Sequence, residues 1–240
     1  MQNGARGSKK DHAPFSFGLV MIFDSLAFDF IPSIGTILGF SLASFVLAIT
    51  PGPDMMLFLS RTVTGGRAMG FAAMLGASAG MVVHMTLAAF GLSALLAASA
   101  TAFFILKVVG GLYLLWLAYG ALRHGSAFSV DREGIPQQSL RATVLTGVGI
   151  NLTNPKVIVF FVTFLPQFID AGDPHASGKL MFLGILFLVI GIPTNAFIVL
   201  IAERVTGFMQ SSPRAMRYFD YGMAGIMSAF ALKLVLTQGR

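Results

Sequence analysis

The stretch Leu47-Ala-Ile-Thr-Pro-Gly-Pro-Asp54 interrupts an apolar segment that extends over residues 34–60. Pro51 and Pro53 remove two backbone amide donors, and Gly52 admits backbone conformations closed to other residues, so a helix through this stretch must break. In hydrocarbon no water replaces the lost hydrogen bonds, and such a break is tolerated only where protein or a water-filled cavity satisfies the freed carbonyls. The stretch therefore predicts a broken membrane helix and a candidate binding site.

A second apolar segment, residues 143–168, is interrupted at Leu152-Thr-Asn-Pro-Lys156. Pro155 and the lysine after it stand where the second proline and the aspartate stand in the first stretch. Paired interruptions in the two halves of a chain are the best sequence indication of a transporter's binding site. We therefore expect the two breaks to form one site together.

The composition is that of a membrane protein. Of the 240 residues, 55% are hydrophobic and 11% are charged, with a mean hydropathy of +0.80, whereas soluble domains carry about 25% charged residues. A membrane helix needs about 20 apolar residues, so six such segments with their loops fill the chain. The net charge of +6 is spread over the segment ends, which indicates contact with anionic membrane lipid and argues against nucleic acid as a partner.

The apolar segments fall into two groups of three around one polar stretch. We expect these parts: residues 1–33, a disordered or interfacial leader; 34–124, a first three-helix repeat; 125–141, a linker; 142–240, a second three-helix repeat. Because three is odd, the second half enters the membrane from the opposite side, so the repeats are inverted. The predicted fold is an all-α membrane protein of six transmembrane helices, of which the first and fourth are broken. Residues 61–67 are expected to form a short turn, and 203–217 a charged loop.

Asp54 and Lys156 are charges inside apolar sequence. Insertion into the bilayer costs about 3 kcal/mol for such a residue, so each is a functional hypothesis. The alternative is structural: Asp54 caps the half-helix that follows Pro53, and Lys156 neutralises it or snorkels. The rise per residue places the two charges at different depths. An amino-acid zwitterion could bridge them, with its ammonium at Asp54 or at unwound carbonyls and its carboxylate at Lys156 or a half-helix N-terminus.

Further polar residues lie in the apolar segments. The predicted substrate-binding residues are Thr50, Pro51, Gly52, Pro53, Asp54, Asn151, Asn154, Pro155, Lys156 and Asn195. For the uncharged ones among them, the alternative is that they re-satisfy backbone groups that the prolines free. His84 has an ordinary pKa of about 6.5, which suits a proton relay, so His84 and Asp54 are the proton-coupling candidates. The alternative for His84 is a hydrogen-bonded packing residue.

Gly76 and Gly80 form a G-x-x-x-G pattern, which lets two membrane helices approach closely. Two interpretations stay open: the face of a homodimer, or contact within the chain. No H-E-x-x-H or phosphate-loop motif occurs, and the chain has no cysteine, so we expect no metal, no cofactor, no enzyme activity and no ATP-driven pump.

Thr50-Pro-Gly-Pro-Asp54 and Asn154-Pro-Lys156 resemble the two signatures of the LysE/RhtB amino-acid exporters. The runs Gly91-Leu-Ser-Ala-Leu-Leu96 and Val109-Gly-Gly-Leu-Tyr-Leu-Leu-Trp-Leu117 also resemble family patterns, and the resemblance covers residues 28–236. It implies a multi-pass protein of the prokaryotic cytoplasmic (inner) membrane that exports amino acids or their derivatives by proton antiport.

The mechanism expected from paired breaks is alternating access, in which one three-helix element rocks against the other. Few fixed charges in the presumed cavity favour a neutral amino acid, because a cationic side chain would need another buried carboxylate. The alternative function is a passive small-molecule channel, or a membrane sensor without uphill transport.

Overall fold

The computed structural model describes residues 30–124, 138–170 and 172–236, and these residues form helices without any strand. The helices are α1 Ile34–Ile49, α2 Pro53–Gly65, α3 Arg67–Leu87, α4 Ser93–Ala98, α5 Ala100–His124, α6 Leu140–Thr153, α7 Pro155–Val159, α8 Ala176–Leu200, α9 Ala202–Ser211 and α10 Pro213–Leu236. A π-helical turn, Ala88–Leu92, joins α3 to α4, and a second, Phe160–Phe164, continues α7 into the 3-10 helix Leu165–Phe168. The predicted leader lies outside the described residues except for 30–33, and the linker except for 138–141.

The described helices include several that are long and apolar enough to cross a membrane. The continuous helix Arg67–Leu95 and helix α8 meet that condition alone. The α1–α2 pair and the pair Leu140–Thr153 with Pro155–Phe168 meet it when each bent pair counts as one span. The predicted class, an all-α membrane protein, is confirmed, whereas six spans in two inverted repeats stay a prediction.

Both predicted helix breaks are present, and they bend the chain by nearly the same angle. The axes of α1 and α2 differ by 49°, and the break before Pro155 turns the chain by 50°. At the first break Gly52 is extended, with φ −174°, and α2 begins with a proline, whose missing amide has no partner to lose at that position. At the second break Asn154 precedes a proline in the same way. Each interruption thus ends one half-helix and begins another.

The G-x-x-x-G pair packs α3 against α6 within the chain. A Cβ at Gly76 would collide with the carbonyl oxygen of Val144, and a Cβ at Gly147 would collide with that of Ala73. Both contacts are with backbone atoms, so the two helices touch at a distance that only glycine permits. The interpretation of this glycine pair as a homodimer face is therefore wrong, because α6 covers it.

The same five residues, Gly76-Ala-Ser-Ala-Gly80, read G-x-S-x-G, which in α/β-hydrolases places a nucleophilic serine on a strand-to-helix turn. Here they lie in the middle of α3, and the Ser78 hydroxyl donates to the carbonyl of Met74 at 2.9 Å. The pattern has no nucleophile-elbow geometry in this fold.

Two loop predictions are wrong. Most of residues 203–217 are helical, in α9 and the start of α10; Ala202 and Val205, one turn apart on α9, pack against Met55 and Leu59 of α2. That apolar pair among charged residues is the helical signal that loop composition concealed. The turn expected at 61–67 shrinks to Gly66, whose φ of +83° only glycine adopts easily.

We expect Gly76→Ala to lower the free energy of unfolding by about 1–3 kcal/mol, because the added methyl must push α3 away from the Val144 backbone. Gly91→Ala is the matched control, since Gly91 is exposed and a Cβ there meets no atom within 4 Å. Its effect should stay within about 0.5 kcal/mol. Thermal unfolding of both purified variants in detergent measures the difference, and equal melting temperatures would contradict the close contact.

A second prediction concerns Asp173, in the loop before α8. Its carboxylate accepts hydrogen bonds from Lys179 Nζ at 2.5 Å and from the His175 amide at 2.8 Å. Burial raises the pKa of this carboxyl, but the Lys179 and His175 hydrogen bonds outweigh burial and hold the pKa below its ordinary value. A lowered pKa gives stability that is present above the unfolded-state pKa and lost as pH falls through the folded-state value.

Asp173→Asn should therefore lower the melting temperature at neutral pH, by an amount equivalent to about 1 kcal/mol or less for a partly exposed pair. The difference from the unmodified chain should vanish on acidification. Asp170→Asn, at an exposed carboxylate nearby, serves as the control and should show neither effect. If the melting temperature of Asp173→Asn stays lower by the same amount at acidic pH, the ion pair is not the cause of the difference.

Candidate functional site

The first break leaves carbonyl oxygens that Lys156 satisfies. Its Nζ donates to Thr50 O at 2.8 Å and to Leu47 O at 3.2 Å. In a continuous helix the carbonyl of Leu47 would accept from the amide of residue 51, which is a proline and has none. Leu47 O also accepts from the backbone amide of Thr50 at 3.2 Å, and the lysine of the second break supplies a further donor to the carbonyls of the first.

The carboxylate of the first break, Asp54, is likewise bound by the other half of the chain. Asp54 lies in the first turn of α2, is 6% exposed, and accepts a hydrogen bond at Oδ2 from Asn151 Nδ2 at 2.8 Å. Asn151 stands in the last turn of α6, just before the second break. The amino end of α2 also favours a negative charge. Each charge is therefore bound to polar groups of the opposite half, and among the described residues no hydrogen bond joins the two charges directly.

Asn154 organises the second break. Its Oδ1 accepts from the backbone amide of Lys156 at 3.0 Å and so caps α7, while the backbone amide of Asn154 donates to the carbonyl of Asn151 at 3.1 Å. Asparagine is a preferred N-cap residue because its short side chain reaches the free amides of the first turn. The cap fixes the direction in which the Lys156 side chain leaves α7.

Three buried polar atoms at the two breaks have no hydrogen-bond partner among the described residues: Asp54 Oδ1, Asn151 Oδ1 and Asn154 Nδ2. Native structures leave few buried polar atoms unpaired, so a cluster of two acceptors and one donor indicates a place where a polar ligand or water binds. A small cavity lies beside it, lined by Asp54, Lys156 and Asn195 among apolar neighbours.

The volume of this polar cavity is about 20 Å³, which is enough for one water molecule. An amino acid does not fit into that space. Binding of a larger ligand in this cavity therefore requires the side chains or helices around it to move.

His84 of α3 contacts the same cluster. The residue is 9% exposed, and its ring stacks on Phe161 with centroids 5.8 Å apart and places Nε2 at 3.3 Å from the carbonyl oxygen of Asn151. Because a carbonyl only accepts, Nε2 carries the proton in this contact. Asn151 thus joins the two proton-coupling candidates, His84 through its carbonyl and Asp54 through its amide.

The remaining predicted residues lie around this centre in different ways. Gly52 lies against Lys156, since a Cβ there would be 3.1 Å from Nζ. Pro53 and Pro155 are exposed and do not line the polar cavity. Pro51 borders a different cavity, and Asn195 reaches the polar one from α8, which stays helical through Pro193.

That different cavity is apolar and much larger, with a volume of about 580 Å³. It lies between the first break and helices α8 and α9, and its lining includes Phe45, Pro51, Met55, Phe197 and Phe208. Met55 lines both cavities and is 5% exposed. Met55, whose thioether side chain is flexible, is thus the one lining residue that the two cavities share among the described residues.

Sequence reasoning missed Met55 and Gly80. A Cβ at Gly80 would lie 2.6 Å from Asn151 Oδ1, so this glycine makes room for the amide that holds Asp54. The sequence showed Gly80 only as half of a packing pattern. Among the described residues no group of three or more His, Cys, Asp or Glu is placed to hold a metal ion.

We expect Asn151→Leu to lower the free energy of unfolding by about 2 kcal/mol, because the buried Asp54 carboxylate loses the hydrogen bond that Asn151 Nδ2 donates. Thr153→Val is the control: that hydroxyl is exposed and bonds within its own helix, to Gly149 O at 2.9 Å. Thermal unfolding in detergent measures both. The double variant Asp54→Leu with Asn151→Leu should lose less free energy of unfolding than the two single variants lose together. Strictly additive losses would argue against the hydrogen bond.

Comparison with known proteins gives one family. The family model described as LysE type translocator matches residues 45–238. An "uncharacterized membrane protein" of Vibrio cholerae serotype O1 is 34% identical over 65% of this chain and 72% of its own length. A homoserine/homoserine lactone efflux protein of Salmonella typhimurium is 29% identical over 75% and 85%, and a leucine efflux protein of Enterobacter sp. is 29% identical over 80% and 90%. No solved structure gives a significant match.

Proposed function

The chain belongs to the LysE type translocator family, and on that premise we propose that it exports amino acids or their derivatives. Membership confirms the resemblance seen in the sequence and makes the chain a multi-pass transporter of the bacterial inner membrane, not an enzyme. The names of the homoserine and leucine efflux relatives support an amino-acid cargo.

The observation that carries the proposal is that polar groups of each break form hydrogen bonds with the other half of the chain. An amino-acid zwitterion needs acceptors for its ammonium and donors for its carboxylate, and the cluster contains both. Asp54 and the carbonyls of Leu47 and Thr50 are acceptors, while Lys156 Nζ and Asn154 Nδ2 are donors. Charge-assisted hydrogen bonds of this kind are roughly twice as strong as neutral ones.

We propose neutral amino acids as the cargo. The charged residues that line the polar cavity are one acid and one base, Asp54 and Lys156, and the two charged groups of the zwitterion use both. Beyond Met55 the neighbouring cavity is apolar, so a side chain that extends past Met55 meets an apolar environment. A charged side chain would be left there without a partner.

The proposed mechanism is alternating access by two inverted three-helix repeats. Helices that end and begin again at nearly equal bends in the two halves support it, as does a polar cavity without room for cargo. Movement of one half against the other would open this site to each side in turn.

The proposed coupling is exchange for protons at Asp54, with His84 as the relay. Protonation removes the charge that attracts the cargo's ammonium, so a proton and an amino acid compete for Asp54. The shared contact with Asn151 connects His84 to that carboxylate. Competition for one site is sufficient for antiport.

A passive channel or a membrane sensor is the alternative. The polar cavity has room for one water and is bounded by apolar side chains such as Phe58 and Phe187, which favours a carrier over an open pore. Proteoliposomes with a pH gradient, loaded with labelled leucine or homoserine, separate these functions. A carrier moves label against its gradient until a protonophore is added, a channel moves it only downhill, and a sensor does not move it.

In this assay Asp54→Asn should reduce gradient-driven flux at least about tenfold, because an amide cannot exchange a proton. His84→Gln keeps an N–H for the Asn151 carbonyl but does not titrate, so loss of flux in this variant indicates relay and not packing. Asp170→Asn, outside the cluster, is the matched control. Full gradient-driven flux in both Asp54→Asn and His84→Gln would locate the coupling elsewhere.

A further inference from the structure

We propose that the Lys156 ammonium occupies the subsite of the cargo's own ammonium, so that an amino acid loads by displacing Lys156 from the carbonyls of Leu47 and Thr50. The inference rests on the proposed export function and assigns a residue-level event to it. Once displaced, the lysine is free to meet the carboxylate of the same cargo molecule.

The chemistry of the two ammonium groups is the first support. Lys156 Nζ stands 2.8 Å from Thr50 O and 3.2 Å from Leu47 O, both at the end of α1. A lysine ammonium has a single positive charge and three N–H donors, and so has the α-ammonium of an amino acid. A pair of carbonyls that binds one group satisfies the other equally well.

The position of Lys156 on its helix is the second support. It lies in the first turn of α7, directly after Pro155. The hydrogen bonds of its ammonium go to the end of α1 and not to its own helix. Its charge is therefore directed at the other half of the chain.

Gly52 gives the third support. A Cβ at this position would lie 3.1 Å from Nζ and 3.2 Å from Cε of Lys156, and the backbone there is extended, a conformation that any residue adopts. Glycine is thus not required by the turn. Its missing side chain provides the space through which an ammonium reaches the carbonyls.

The flexibility of the lysine side chain makes the exchange feasible. Four methylene groups separate the charge from the backbone, so Nζ can leave the carbonyls while α7 and its Asn154 cap stay in place. Asn195 lines the same cavity and is a polar group that a retracting ammonium would meet beside the cargo's carboxylate. In the unloaded protein Lys156 fills the subsite and excludes other small cations.

Two half-cargo probes test the inference on the full-length protein in lipid nanodiscs. 3-Methylbutylamine has the ammonium of leucine without its carboxylate, and 4-methylpentanoate has the carboxylate without the ammonium. In Lys156→Met the amine should bind about tenfold more tightly, the change expected from removing a competitor for one charge-assisted hydrogen bond. The acid should bind more weakly or to the same extent, because its cationic partner is gone.

Isothermal titration measures both affinities, with Lys179→Met as the control for loss of a lysine outside the site. Lys156→Gln is a neutral variant that retains a donor. Its affinities should change in the same directions as those of Lys156→Met, with a smaller increase for the amine, and it replaces Lys156→Met as the test if that variant does not fold. Lys156→Arg keeps a competing cation and should gain nothing for the amine.

The displacement model is overturned if the affinities for the amine and the acid change in the same direction, or if neither affinity changes. A lysine with a merely structural role would not distinguish the two probes. If unmodified protein neither binds nor transports leucine or homoserine, the proposed export of neutral amino acids fails instead. The two failures are therefore distinguishable.

Discussion

A carbonyl freed by proline inside hydrocarbon must find a donor, and this constraint determines how the two halves of the molecule are joined. The break after Ile49 releases carbonyls of α1, and the donor that reaches them comes from α7, more than a hundred residues later in the chain. The reverse bond, from Asn151 to Asp54, ties α6 to α2. Because each interruption is completed by the other half, neither half-site exists without its partner.

Close backbone packing of α3 on α6 holds these bonds in register. Gly76 and Gly147 let the two helices touch through main-chain atoms, and Gly80 leaves room for the Asn151 side chain. Where lipid supplies no hydrophobic force between helices, such contacts are a main source of association. The same helix supplies His84, so one surface of α3 both sets the helix spacing and contributes to the polar cluster.

The sequence was sufficient to locate both interruptions, because proline and glycine act locally and their effect on a helix does not depend on the rest of the fold. It was not sufficient to assign partners. Depths counted at a fixed rise per residue assume straight helices, whereas bends of 49° and 50° bring Lys156 to the end of α1 and Asp54 to Asn151. The role of Met55 and the helical state of residues 202–211 also depend on tertiary contacts, which no single segment encodes.

The near equality of the two bends has a thermodynamic consequence. If the halves are related by inversion as proposed, exchanging their conformations produces a state of similar internal energy, so the empty carrier has little intrinsic preference for facing either compartment. Net direction would then be set by the solute and ion concentrations on the two sides. Such a protein works as readily in reverse, and an imposed gradient alone decides whether a cell loses or gains the solute.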